Sequence, residues 1–204
     1  AVEPSSVMGF TKKLAEIIIQ SKDLHTKLAA RFITVRFGNV LGSTGSVVPF
    51  FKQQIKQGGP LTVTDKNVSR FFMTIQEAVD LVMSATFEQL NAEGDRKGSI
   101  SVLDMGASVK IDTLAKQMIK MAGFTPGKEI KIKYTGLKKG EKLHEKLFAN
   151  EEKKVDKFHK GFFIVTNDIL NTNLIYKMVE RLEVLCKYTN KDIRKDLFKI
   201  IKKR

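Results

Sequence analysis

Val7-Met8-Gly9-Phe10-Thr11-Lys12-Lys13-Leu14-Ala15-Glu16 and, further on, Val35-Arg36-Phe37-Gly38-Asn39-Val40-Leu41-Gly42-Ser43 decide how this chain is read. In the first stretch and just beyond it, Leu14, Ile17 and Ile18 follow the i, i+3, i+4 pattern. That predicts a helix over residues 6–22. Met8 and Lys12 lie four residues apart at its start, so they share one helix face. Gly9, between them, lets another group come close to the backbone. The second stretch leaves a run of β-branched and aromatic residues, 32–37, that reads as a buried strand. It then enters a glycine-rich turn.

Outward from these stretches, the pattern alternates strands with helices. Val47 to Gln57 is a predicted helix with Pro49 in its first turn, ended by Gly58-Gly59-Pro60. Leu61 to Thr64 is a short strand. Thr74, with Glu77 three residues on, forms a capping box before a helix whose apolar face is Ala78, Leu81, Val82 and Ala85. Ile100 to Leu103 is a strand. Ile111 to Ala122 is a helix with Gly123 as its C-cap. Ile130 to Tyr134 alternates as a half-exposed strand, Lys142 to Phe148 reads as a short helix, and Phe162 to Val165 as a late strand. Two helices close the chain, one through Leu174, Met178, Leu182 and Leu185, the other through Ile193, Leu197, Ile200 and Ile201. This order is α/β.

The 204 residues carry a net charge of +14. A basic chain raises nucleic acid as a partner. Here, however, the lysines are dispersed among acids and greatly outnumber arginine, the better reader of phosphate and base edges. Nucleic acid is therefore not expected; attraction of an anionic small ligand is the milder consequence. No apolar run has the roughly 18 residues of a membrane span. A single cysteine, Cys186, rules out an internal disulfide and fits a cytoplasmic setting. His25, His144 and His159 are scattered, so no metal site is expected.

No Gly-x-Gly-x-x-Gly turn is present, so the dinucleotide fingerprint is missing. Gly42-Ser43-Thr44-Gly45-Ser46 ahead of the Val47 helix is a loop of glycines and hydroxyls able to hold phosphate with backbone N–H groups.

These segments, in this order, resemble the C-terminal part of extended short-chain dehydrogenases. The branch they resemble is the bacterial UDP-N-acetylglucosamine 4,6-dehydratase-like polysaccharide biosynthesis proteins (CapD-like). The resemblance runs to about residue 150. It rests on the two opening stretches and on Gly45-Ser46-Val47-Val48-Pro49, Ser69-Arg70-Phe71-Phe72-Met73-Thr74 and Val102-Leu103-Asp104-Met105-Gly106. Tyr134-Thr135-Gly136-Leu137-Lys138-Lys139-Gly140-Glu141-Lys142-Leu143 completes it. It implies a Rossmann-type sheet remnant with a smaller α/β substrate-binding lobe. Residues 1–150 would hold the partial core and the sugar-nucleotide lobe, interleaved, and 151–204 the strand and helices completing that lobe.

The resemblance also implies roles. Lys12 and Met8 occupy the catalytic positions. Lys12 would hold the nicotinamide ribose of NAD, and Met8 stands where most relatives carry the proton-transferring tyrosine. Methionine cannot move a proton. The subgroup with Met there relies on an Asp-Lys pair a few residues upstream, and Ala1-Val2-Glu3-Pro4 matches the chain just after that pair. The missing N-terminal NAD-binding half is thus an expected partner of these residues. Phe37 and Asn39 would contact the cofactor. Asn39, Ser46, Val47, Thr62, Arg70 and Glu141 would contact a UDP-sugar, with Arg70 on phosphate and Glu141 on a ribose hydroxyl. Tyr is common where His144 stands, and Arg where Lys138 stands.

The implied activity of the whole protein is NAD-dependent removal of water from a UDP-N-acetylhexosamine, giving a 4-keto-6-deoxy sugar for surface glycan. A homo-oligomer in the cytoplasm is expected, with relatives anchored to the membrane by an N-terminal region. Two other readings stay open: a nucleotide-sugar epimerase of the same superfamily, and a non-catalytic basic binding module. Taken singly, Lys12 is a solvated lysine, Met8 core filler, Asn39 a turn residue and Arg70 a surface ion-pair partner. Only their joint order lifts them above that.

Overall fold

The computed structural model describes residues 2–27, 29–91, 96–158, 161–166 and 172–188. In chain order the elements begin with α1 (Val7–His25), β1 (Thr34–Arg36), β2 (Asn39–Val40), α2 (Val47–Lys56) and β3 (Leu61–Val63). Next come β4 (Ser69–Arg70), β5 (Phe72–Met73), α3 (Ile75–Leu90), β6 (Ile100–Leu103) and β7 (Val109–Lys110). Last are α4 (Ile111–Met121), β8 (Ile132–Tyr134), β9 (Lys153–Phe158), β10 (Phe162–Thr166) and α5 (Thr172–Tyr188). The chain folds as two units: residues 1–36, 83–103 and 148–204 form the first, 37–82 and 104–147 the second.

The first unit is built on a four-stranded sheet in the order β1-β6-β10-β9. β6 is its centre, parallel to β1 and antiparallel to β10. Ile100, Ser101 and Val102 of β6 are all buried, as expected for a strand flanked on both sides. Ser101 is satisfied there by the Gln89 amide at 3.3 Å. Ser6 caps α1 by accepting from the Gly9 N–H at 3.1 Å. The helix runs on to His25, three residues past the expected end. Phe10 of α1 packs with Leu182 of α5. Asp23, near the end of α1, accepts from the Phe32 and Gly98 N–H groups and from Arg31, which ties the approaches to β1 and β6 to the helix.

The second unit has its core between α2, α4 and β3. Phe51, Leu61, Val63, Val68, Ile111, Ala115, Ile119 and Ile130 form one buried cluster. Burying a Phe, Leu or Ile side chain is worth about 1.5–3 kcal/mol. β3 pairs in parallel with β8, β2 in parallel with β5, and β4 antiparallel with β7. The predicted capping box exists: Thr74 N–H and Oγ1–H donate to Glu77, and the Glu77 N–H donates to Thr74 Oγ1. Helix α4 ends as predicted on Gly123, at φ 86°. The Gly123 N–H bonds to Lys120 O and the Phe124 N–H to Ile119 O, which closes the last turn.

Two expectations need correction, and one strand was not expected. Lys142–Phe148 is not helical. Its Leu143 carbonyl accepts from the Ser69 N–H at 3.0 Å, and His144 forms a single isolated bridge with Ser69, so irregular chain touches β4 there instead. β9, with its lysine-rich sequence, was not anticipated. On α5, Leu174 is 44% exposed and Ile175 takes the buried place beside Met178 and Leu182. The expected last helix through Ile193 lies outside the described residues.

Candidate functional site

The Met8–Lys12 pair lies on the solvent side of α1. Phe10, Lys13, Glu16, Ile17 and Gln20 line the buried side. Met8 is 66% exposed, so it does not fill the core. Lys12 is exposed too, and nothing pairs with its amine among the described residues.

One turn beyond Lys12, Glu16 enters a buried charge cluster. Its carboxylate receives Arg36 Nε at 3.1 Å and Nη2 at 2.9 Å, and Lys13 Nζ at 2.6 Å. The opposite edge of Arg36 grips Glu152 through Nη1 at 2.9 Å and Nη2 at 2.8 Å. Glu152 also accepts from the Ala149 N–H at 2.8 Å. Burial pushes the Glu16 carboxyl up, but the Arg36 and Lys13 charges and the Arg36 hydrogen bonds outweigh it and hold it at about 2. Burial likewise works against the Arg36 charge, and its bonds to Glu152 and the Glu16 charge overcome it, so Arg36 is held more firmly protonated. The cluster fastens α1, and with it Lys12, to β1 and to the segment before β9. Sequence reading missed it, because Glu152 lies far along the chain from Arg36.

The remaining candidates fall in the second unit. Phe37 and Asn39 belong to the run entering β2, where Asn39 pairs with Phe72 of β5. The Asn39 N–H donates to Phe71 O at 2.8 Å, and its side chain is exposed. Gly38 is there by necessity: a Cβ would come within 2.7 Å of Phe71 O and 2.8 Å of Phe71 Cβ. The turn after β2 runs through Gly42 and Gly45, both at positive φ, to Ser46 at the N-cap of α2. Ser46 Oγ is buried and has no hydrogen-bond partner among the described residues. Val47 packs against the second unit's core. Thr62 is engaged by Gln54, whose Nε2 donates to Thr62 Oγ1 at 2.9 Å and whose Oε1 accepts from the Thr62 N–H.

Arg70 and Glu141 are brought into direct contact. Arg70 Nη2 donates to Glu141 Oε1 at 3.2 Å, and Nη1 donates to the Ser69 and Leu143 carbonyls. Arg70 Nε faces Glu145 Oε1 at 3.4 Å. Glu141 also accepts from Thr64 Oγ1 at 2.9 Å and from the Lys138 N–H at 3.1 Å. Beside them, Ser69 Oγ and His144 Nδ1 share a hydrogen bond at 2.9 Å, and Ser108 Oγ donates to Ser69 Oγ. Of the expected ligand contacts, Arg70, Glu141 and the neighbouring Thr64 thus form one polar cluster. Among the described residues no hydrogen bond joins Thr62 or Ser46 to it, though both belong to the same unit, and Lys12 and Met8 belong to the first unit. Among the described residues no group of His, Cys, Asp and Glu is placed to hold a metal ion, and no helix is long and apolar enough to cross a membrane.

The family model described as polysaccharide biosynthesis protein matches residues 1–167. The chain belongs to the polysaccharide biosynthesis protein family. It is 49% identical over 152 residues to the capsular polysaccharide biosynthesis protein CapD of Staphylococcus aureus, a match covering 74% of this chain and 24% of CapD. The UDP-glucose 4-epimerase of Rickettsia akari is 32% identical over 207 residues, covering all of this chain and 58% of that protein. The chain therefore spans about a quarter of the one relative and somewhat over half of the other. Among solved structures, Pen from Bacillus thuringiensis matches with a TM-score of 0.68 and 32% identity, covering 84% of this chain and 51% of Pen. A dTDP-glucose 4,6-dehydratase from Streptomyces venezuelae with NAD bound matches with a TM-score of 0.55 at 18% identity, over 72% of this chain and 44% of that one, and shows the fold alone. The family member described here thus has the mixed α/β fold of part of an extended short-chain dehydrogenase. Its sequence is similar to that of UDP-glucose 4-epimerases, and its fold is shared with nucleotide-sugar dehydratases.

Proposed function

We propose that the protein acts as an NAD-dependent nucleotide-sugar 4,6-dehydratase in polysaccharide synthesis, converting a UDP-N-acetylhexosamine to its 4-keto-6-deoxy form. The observation that carries this reading is the solvent-facing Met8–Lys12 pair on α1. Both side chains stand where the family's motif places its cofactor contacts, both are exposed to an incoming ligand, and the Lys12 amine has no partner among the described residues.

NAD, when bound, supplies the hydride acceptor and donor. Lys12 fits a ribose hydroxyl contact: its amine donates hydrogen bonds and puts positive charge beside the reacting ring. The 204 residues contain no Gly-x-Gly turn, so the cofactor's pyrophosphate is not assigned to them. Met8 neither takes nor gives a proton, so proton transfer at the sugar is left to groups other than Met8. On the sugar-nucleotide side, the exposed Asn39 amide is able to donate to the diphosphate or sugar. Ser46 Oγ, buried at the N-cap of α2 without a partner among the described residues, offers a hydroxyl to a phosphate oxygen, with Val47 beside it. Thr62, Arg70 and Glu141 complete the contacts we assign to the UDP-sugar.

The test is incubation of the intact protein with UDP-N-acetylglucosamine and NAD, with the product followed by mass spectrometry and by trapping of the keto group. Loss of one water with appearance of a 4-keto group is expected. Conversion to an isomer of unchanged mass would identify an epimerase instead and sink the dehydratase reading.

A further inference from the structure

We propose that the Glu145 carboxylate is a stand-in for a nucleotide phosphate on Arg70, displaced when the phosphate arrives, and that it thereby sets how tightly the site holds its ligand. The proposal rests on the nucleotide-sugar reading of this site and adds a residue that the reading does not contain.

The contacts of Arg70 are unequal. Nη1 is spent on the Ser69 and Leu143 carbonyls at 2.8 and 3.3 Å, and Nη2 on Glu141 at 3.2 Å. Nε faces only Glu145, at 3.4 Å, an ion pair that falls short of hydrogen-bonding geometry. The two carboxylates differ as well. Glu141 is anchored from three sides, by Arg70, by Thr64 Oγ1 and by the Lys138 N–H. Glu145 has no other anchor among the described residues, and its side chain is 36% exposed against 21% for Glu141. Glu145 is therefore the member of the trio that leaves most cheaply.

Charge supplies the reason for it to leave. Arg70 with Glu141 and Glu145 sums to one negative charge. A phosphate reaching the Nε edge would meet Glu145 as a like-charged neighbour. Exchanging the carboxylate for a phosphate oxygen keeps the guanidinium paired and converts a loose contact into a charge-assisted hydrogen bond. Until then, Glu145 keeps Arg70 from sitting half-buried and underpaired.

Glu145→Gln keeps the shape and removes the charge. In calorimetry on the intact protein, UDP and inorganic pyrophosphate are expected to bind the variant about two- to fivefold tighter, the worth of a partly exposed ion pair. Uridine, which has no phosphate, is expected to bind both proteins alike. Glu145→Asp, which draws the carboxylate back by one methylene, is the second variant and should shift affinity the same way by less. UDP bound equally or more weakly by both variants would overturn the proposal and leave the functional reading standing. Absence of UDP binding by wild type and variants together would overturn that reading, and the proposal with it.

Discussion

Arg36 grips Glu16 with two parallel contacts, Nε to Oε2 at 3.1 Å and Nη2 to Oε1 at 2.9 Å, and holds Glu152 along its other edge. Removing one member of such a buried set strands the charge of the others. Glu16→Ala is expected to cost about 3–5 kcal/mol, the range for breaking a buried pair. Urea unfolding of wild type and variant checks this; a loss under about 1 kcal/mol would place the cluster among surface ion pairs.

The same carboxylate shapes the response to acid. Glu16 is held at about 2 in the fold against an ordinary value of 4.5, and Asp23 and Asp112 are also held low. Carboxyls depressed by folding stabilise above their unfolded values and lose that contribution as pH falls through the folded ones. The melting temperature should therefore stay level down to about pH 5 and fall steadily from there toward pH 2. In Glu16→Gln the fall over that window should be shallower. An identical slope would show that Glu16 titrates normally.

Tyr134 gives the opposite signature. Its hydroxyl donates to Asp112 at 2.6 Å, and that bond, with some burial and the Asp112 charge, raises it to about 12. The stabilisation is complete below the ordinary value of 10 and is lost as pH climbs toward 12. Ultraviolet titration should show a tyrosine step well above the ordinary value of 10. Asp112→Asn should bring that late step down.

Gly38→Ala tests the approach of β2 to β5. The added methyl would meet backbone at 2.7 Å, which no rotamer change relieves. A loss of about 1–3 kcal/mol is expected from such overpacking. Hydrogen exchange should show the loss at the Asn39 and Leu41 amides, which donate to Phe71 and Met73.

Lys12→Ala should leave the fold untouched, because the residue is exposed and nothing in the described structure leans on its amine. On the function proposed above, the substitution in the intact protein is expected to depress kcat by more than tenfold while KM for the sugar nucleotide changes little, the pattern of a group that orients a cofactor ring. A variant turning over at the wild-type rate would return Lys12 to the solvated surface.

Local chemistry was readable where neighbours in sequence decide the structure. Thr74 with Glu77, and Gly123 after α4, announce their helix ends because the bonds that close them are made within a few residues. Lys142 to Phe148 reads as a short helix and is not one. What overrides the local preference is the bond from Ser69 to the Leu143 carbonyl, made across a long sequence gap. Lys153 to Phe158 hides a strand for a similar reason: its pairing with β10 supplies what its composition does not. Met8, Lys12, Arg70 and Glu141 were singled out by motif. Glu16 with Glu152, which seat the helix carrying Lys12, and Glu145, which faces Arg70, carry no local signal, because each acts through an arginine distant in sequence or on another strand.

The first unit is assembled from three stretches of chain with the second threaded between them, the crossings falling after Arg36, Val82, Leu103 and Leu147. On the ribosome this fixes an order. Every residue of the second unit has been made once Leu147 is added, whereas β6 still lacks the neighbour that β10 will provide and α1 still lacks α5. At about 5–20 residues per second, several seconds of synthesis separate the two completions. The nascent chain should thus carry the second unit whole ahead of an unfinished sheet, and a pause or break in translation between Leu147 and α5 would release a protein whose Lys12-bearing helix lacks its packing on α5.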